Sequence, residues 1–103
     1  MINTSRIQEL REEVGEDDLA EVISLFCEEM DEVMDGLENT APDQLPSRLH
    51  FLKGSALNIG LDDVSELCRI EELRLSTDSK GTVDIAAIKS AYAKAKQVLI
   101  SLG

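Results

Sequence analysis

Apolar residues recur at intervals of three and four along most of this chain, and no stretch alternates apolar and polar residues as a half-buried strand does. Between residues 16 and 40, Leu19, Val22, Ile23, Phe26, Met30, Val33, Met34 and Leu37 share one side of a helical wheel. Glu21, Glu28, Glu29, Asp31, Glu32 and Asp35 share the other. From about Asp84, Ile85, Ile88, Tyr92, Ala95, Leu99 and Leu102 repeat the pattern, with Lys89, Lys94 and Lys96 outside it. A period near 3.6 gives helices that each bury one stripe.

The breaks between these patterns predict five helices. A short first helix within residues 1–15 has Asn3, Thr4 or Ser5 as cap, Ile7, Leu10 and Val14 as stripe, and Gly15 as stop. Glu16, Asp17 and Asp18 open the second, where a helix dipole favours negative charge. The breaker-rich run 39–44 turns the chain, and Pro42 and Pro46 suit the start of a third helix over about 45–59, with Gly60 as its stop. A fourth spans 62–77, opened by Asp62 or Asp63, with Asp63 and Glu66 at capping-box spacing. Val64, Leu67, Cys68 and Leu75 mark its stripe, but Glu71 interrupts it, so its rotation stays open. After a loop over 76–84 comes the last. Four long amphipathic helices joined by short turns predict an all-α fold: an antiparallel up-down-up-down four-helix bundle with a short additional N-terminal helix, a single domain over residues 1–103.

Composition narrows the function. The net charge of −11 is concentrated in residues 1–40, which carry 13 Asp and Glu against Arg6 and Arg11. Without a basic stripe, nucleic acid is excluded as a partner. The acidic run lacks the spaced ligands and central glycine of a calcium loop, and no metal-ligand spacing involves Cys27 or Cys68, so no metal site is expected. Those two cysteines fall near apolar stripes and read as small core residues of a protein in a reducing compartment. No apolar run approaches a membrane span and no signal peptide opens the chain, so the expectation is a cytoplasmic protein, monomeric because one bundle uses every strong stripe.

The only histidine, His50, stands on the third helix. At about 100° per residue, Leu45, Leu49, Leu52, Ala56 and Ile59 form the core stripe there. His50, Lys53, Gly54, Leu57 and Leu61 form a second, outward cluster. A glycine inside a helix costs about 1 kcal/mol relative to alanine and is tolerated where something must approach the backbone. An exposed, neutral imidazole is a competent nucleophile toward phosphorus, and a lysine one turn away can meet the anion it acquires. On spacing alone, a surface histidine beside a packing glycine is the commoner arrangement.

The run His50-x-x-Lys53-Gly54-Ser55-Ala56-x-x-x-Gly60 resembles the signature of histidine phosphotransfer (Hpt) domains of bacterial two-component phosphorelays. Leu10-x-x-x-Val14-Gly15-x-Asp17 is similar to the family's usual opening, and Leu67-Cys68-Arg69 to the start of the helix that follows the histidine helix. The resemblance implies a protein that accepts a phosphoryl group on His50 and exchanges it with an aspartate of a response-regulator receiver domain. A hybrid histidine kinase would stand upstream. No cofactor is implied for this chain, and Mg²⁺ would come with the receiver. Lys53 would screen the phosphoryl charge, Gly54 would let the partner close in, and Ser47, Leu57, Leu61 and Arg69 would contact it; the alternative for the two leucines is packing against the first helix or a neighbouring turn. In related phosphotransfer domains of chemotaxis kinases, a glutamate 22 residues after the histidine, here Glu72, hydrogen-bonds Nδ1 of the ring. The alternative for Glu72 is a solvated surface position. The chain has no phosphate-binding glycine loop, so it is read as a carrier and not as a kinase or other enzyme. The competing reading is a helical adaptor that binds a receiver or another protein without being phosphorylated.

Overall fold

A computed structural model describes residues 2–78 and 82–102. It contains five α-helices: α1 (Thr4–Val14), α2 (Glu16–Gly36), α3 (Leu45–Asn58), α4 (Asp62–Thr77) and α5 (Ile85–Leu102). Among the described residues there is no strand, only an isolated antiparallel bridge between Ile2 and Leu61. The predicted loop over 76–84 shortens to the residues between Thr77 and Ile85, of which 79–81 lie outside the described residues.

The local chemistry explains the boundaries. The Asn3 side chain accepts from the Arg6 N–H at 3.0 Å and caps α1. Gly15, at φ +88, donates its N–H to the Arg11 carbonyl at 2.9 Å and turns the chain directly into α2. No side chain caps α2, whose first turn relies on Glu16, Asp17 and Asp18 against the dipole. The helix pattern expected up to residue 40 divides: α2 ends at Gly36 and a 3₁₀ turn runs over Leu37–Asn39, burying Leu37.

Helices α2, α3, α4 and α5 each pack on the next, α5 returns to α2, and α1 lies along α2. Contacts fix the directions. Lys89, early in α5, bonds Glu38 just beyond α2 at 2.8 Å, while Lys96, about two turns later, bonds Asp31 at 2.6 Å. Between α3 and α4, Lys53 meets Ser65 near the start of α4, while His50, three residues earlier, faces Glu72, two turns later in α4. This is the predicted antiparallel bundle. Leu19, Ile23, Met30, Leu49, Leu52, Val64, Ile88 and Leu99 are almost fully buried in its aliphatic core.

Two expectations are corrected. Leu61 is 1 % exposed and does not belong to the outward face of α3. The helical wheel stops applying at Gly60, whose φ of +77 reverses the chain and sends Leu61 inward beside Ile2 and Val64. The Asp63–Glu66 capping box does not form: Leu61 holds the N-cap position without a side-chain bond, and Asp62 accepts from Asn3 Nδ2 at 3.1 Å instead. Cys27 and Cys68 are buried free thiols, as expected of core residues.

Candidate functional site

The histidine helix begins at Leu45 with Pro46 in its first turn, where a missing N–H costs nothing. Its inward residues Leu49, Leu52 and Ala56 are fully buried, which fixes the helix's rotation and leaves His50 on the outside with 74 % of its side chain exposed. Lys53 and Gly54 follow on the same face. A Cβ built on Gly54 would meet nothing within 4 Å. Packing inside the chain therefore does not require this glycine. Gly60 is different: its φ is positive, and a Cβ there would lie 2.9 Å from the Asn3 carbonyl oxygen. Of the two glycines in the motif, one shapes the α3–α4 turn and the other only keeps a surface bare.

The rotation of α4, left open by Glu71, is resolved. Val64, Cys68, Glu71 and Leu75 are all buried, so the inward stripe runs straight through the acid. Arg74 bonds one oxygen of Glu71 at 3.2 Å, and the other is buried without a hydrogen-bond partner among the described residues. With Glu71 pointing inward, Glu72 turns toward α3. Its Oε2 accepts from Lys53 Nζ at 3.2 Å. Its Oε1 lies 3.5 Å from His50 Nδ1 and is a buried oxygen with no well-formed hydrogen bond. That contact is long, as catalytic contacts in unliganded sites often are. A small turn of the exposed imidazole would shorten it.

The Glu72 carboxylate thus touches the imidazole with one oxygen and the Lys53 ammonium with the other. A carboxylate facing Nδ1 favours the tautomer with its proton there and leaves the Nε2 lone pair pointing to solvent. Behind Glu72, burial and the nearby carboxylate push the Cys68 thiol up to about 12, so this sulfur stays protonated and inert. Among the described residues no cluster of His, Cys, Asp and Glu could hold a metal ion.

The sequence profile of the Hpt domain family matches residues 21–98. The chain is an Hpt domain. No characterised protein and no solved structure matches it significantly. Hpt domains serve histidine phosphotransfer in two-component phosphorelays, act as phosphoryl carriers and interact with the receiver domains of response regulators. No described helix of this Hpt domain is long and apolar enough to cross a membrane.

The structure brings His50, Lys53, Gly54 and Glu72 to one surface. Of the residues expected around them, Leu57 is 58 % exposed. Ser47 lies one turn before His50, its hydroxyl turned back onto the Gln44 carbonyl at 3.0 Å. Arg69 is exposed and paired with Glu66, and its hydrogen bonds hold that carboxyl below the usual range. Leu61 is removed from this set by its burial. Sequence reasoning passed over Leu73, which is 52 % exposed and lines a shallow concavity of about 390 Å³ with Lys53, Arg69, Glu72 and Ser76. The available signal was an apolar residue off the α4 stripe and next to Glu72. A groove of about 670 Å³ between α4 and α5, lined by Leu61, Val64, Ala91 and Val98 among others, includes none of the four residues at the histidine. The chemistry sits on an open face, as suits a group that must enter another protein's active site.

Proposed function

We propose that this Hpt domain carries the phosphoryl group on Nε2 of His50 and exchanges it with an aspartate of a receiver domain. The observation that supports this reading most directly is the placement of Glu72. An outward imidazole has its Nδ1 3.5 Å from a carboxylate oxygen, on a helix face left bare at Gly54.

In the forward step, the Nε2 lone pair of a neutral, Nδ1-protonated ring attacks the phosphorus of an aspartyl phosphate on the receiver. A P–N bond forms, the P–O bond to the aspartate breaks, and its electron pair leaves with the carboxylate. No proton has to move. The positive charge that appears on the ring is met at Nδ1 by Glu72. Lys53, one helical turn from His50, can swing from Glu72 to the phosphoryl oxygens. The reverse step uses the same atoms. Phosphoryl transfer depends chiefly on positioning and charge neutralisation, so the bundle has little more to provide. The receiver supplies the acceptor aspartate and Mg²⁺, and a hybrid histidine kinase is the upstream source. Leu57 and Ser47 on the histidine helix, with Leu73 and Arg69 beside Glu72, form the docking rim. The domain works as a monomer in the cytoplasm.

The test is phosphorylation of wild type and His50→Gln by phosphoramidate or a phosphorylated receiver, read by phosphorus NMR. An acid-labile, base-stable signal in wild type alone is expected. Folded wild type that stays unlabelled by every competent donor overturns the reading and leaves an unphosphorylated adaptor.

A further inference from the structure

The three-residue turn between α3 and α4, closed by the Leu61 N–H on the Ala56 carbonyl at 2.8 Å, anchors that end of the helix pair, but Glu72 lies about three turns further along α4. Glu72 and His50 stand on different helices whose shared surface is mostly aliphatic: Leu49, Leu52 and Ala56 on α3, Val64, Cys68 and Leu75 on α4. Aliphatic contacts hold helices together but are non-directional, so they set axial offset less sharply than a hydrogen bond does. A directional tie exists. Ser65 is 8 % exposed, and its hydroxyl donates to the backbone carbonyl of Lys53 at 3.0 Å. That bond joins α4 to α3 at the residue whose side chain holds Glu72. Seven residues, about two helical turns, separate Ser65 from Glu72, so both lie on the side of α4 that faces α3.

Resting on the reading of His50 as phosphoacceptor, we propose that Ser65 is a positioning residue: its bond to the Lys53 carbonyl sets the α3–α4 register that brings Glu72 to His50 Nδ1. The Nδ1–Oε1 separation is already 3.5 Å, at the outer limit of a hydrogen bond. An axial slip of about 1 Å would break it, whereas Lys53, on a flexible stem, would follow Glu72. Loss of the hydroxyl should therefore uncouple the histidine while leaving the Lys53–Glu72 pair in place.

The paired variants Ser65→Thr and Ser65→Val isolate the hydroxyl, because both add similar bulk to a buried site and only threonine keeps the donor. Nitrogen-15 NMR of the imidazole reports the tautomer without requiring phosphate. Ser65→Thr should retain the wild-type excess of the Nδ1-protonated form. Ser65→Val and Ser65→Ala should lose it to the level of Glu72→Gln, and their rate of phosphorylation by phosphoramidate should fall about fivefold at equal folded fraction. Variants that lose thermal stability but keep the wild-type tautomer ratio overturn the proposal, as does a Glu72→Gln protein with an unchanged ratio. Failure of wild type to take up phosphate would instead remove the phosphocarrier reading, while the tautomer comparison would still decide the role of Ser65.

Discussion

Glu72 Oε1 lies 3.5 Å from His50 Nδ1, although the carboxylate is mostly buried and the imidazole mostly exposed. A residue of the bundle's flank thus reaches across a helix interface to the Nδ1 side of the ring. Among the described residues no hydrogen bond engages the other side, Nε2. The contrast gives the site its direction.

Glu72→Gln keeps the size of the side chain and removes its charge. Hydrogen bonds to charged groups contribute about 1.5–3 kcal/mol, roughly twice a neutral one. Phosphorylation of His50 should slow about tenfold, which corresponds to about 1.4 kcal/mol of barrier. The thermal midpoint should barely move, because the pair with Lys53 is partly solvated. Single-turnover labelling with phosphoramidate measures this, and an unchanged rate would show that Glu72 does not act on the ring.

Leu57 and Leu61 share a stripe on the helical wheel and have opposite fates. Leu57→Ala removes a half-exposed side chain and should change stability by less than about 0.5 kcal/mol. It should weaken receiver binding about fivefold or more, as loss of an apolar docking contact does. Leu61→Ala empties a buried site between α4 and the N-terminal segment and should cost about 2–4 kcal/mol of unfolding free energy. Its affinity for the receiver should stay at the wild-type value. Thermal melts and titration with a receiver separate the two.

This pair also marks how far the sequence could be read. The stripe Leu49, Leu52, Ala56 fixed the rotation of α3, and with it the outward direction of His50, because a regular helix lets one face determine the other. Periodicity fails where the helix stops. Leu61 lies beyond the positive φ of Gly60, and its inward turn depends on a contact with Ile2, which is distant in sequence. The rotation of α4 stayed open for a related reason. Glu71 is buried in the stripe against its type, with Arg74 as its only hydrogen-bonding partner among the described residues, and no local rule anticipates a buried acid. Once Glu71 points inward, the neighbouring Glu72 faces the histidine. The register tie from Ser65 to the Lys53 carbonyl was likewise invisible, since it joins a side chain to a backbone atom on another helix.

Alkaline pH should unfold the domain through its buried phenol and thiols. Burial pushes the hydroxyl of Tyr92 well above the usual tyrosine range, and its hydrogen bond to Asp31 at 2.6 Å adds to the effect. Burial also raises Cys27, and it takes Cys68 from 9.0 up to about 12. In each case the folded state keeps a proton that the unfolded chain gives up. The stability from these groups is complete below about pH 9 and declines as pH rises, by about 1.4 kcal/mol per pH unit for each group held protonated. The chain has one tyrosine and no tryptophan, so its phenolate absorbance is unambiguous. That absorbance should appear together with the loss of helical circular dichroism. Phenolate formation in the ordinary tyrosine range with the helices intact would contradict the burial of Tyr92.

Gly54→Ala separates what the bundle needs from what its partner needs. The site is helical and φ is not positive there, so alanine fits the backbone. A Cβ would find open space, with nothing within 4 Å. Replacing a helical glycine under those conditions should stabilise the domain by about 0.5–1 kcal/mol. Phosphorylation by phosphoramidate should proceed at the wild-type rate, since a small donor reaches Nε2 without covering the helix. Transfer from a phosphorylated receiver should slow, because in the proposed docking the added methyl group would meet the partner's active-site rim one turn from His50. The measurement is the ratio of the two rates in wild type and variant. A variant that melts higher and transfers equally well from both donors would mean the receiver never approaches this face, and docking would have to be sought on the other side of the histidine.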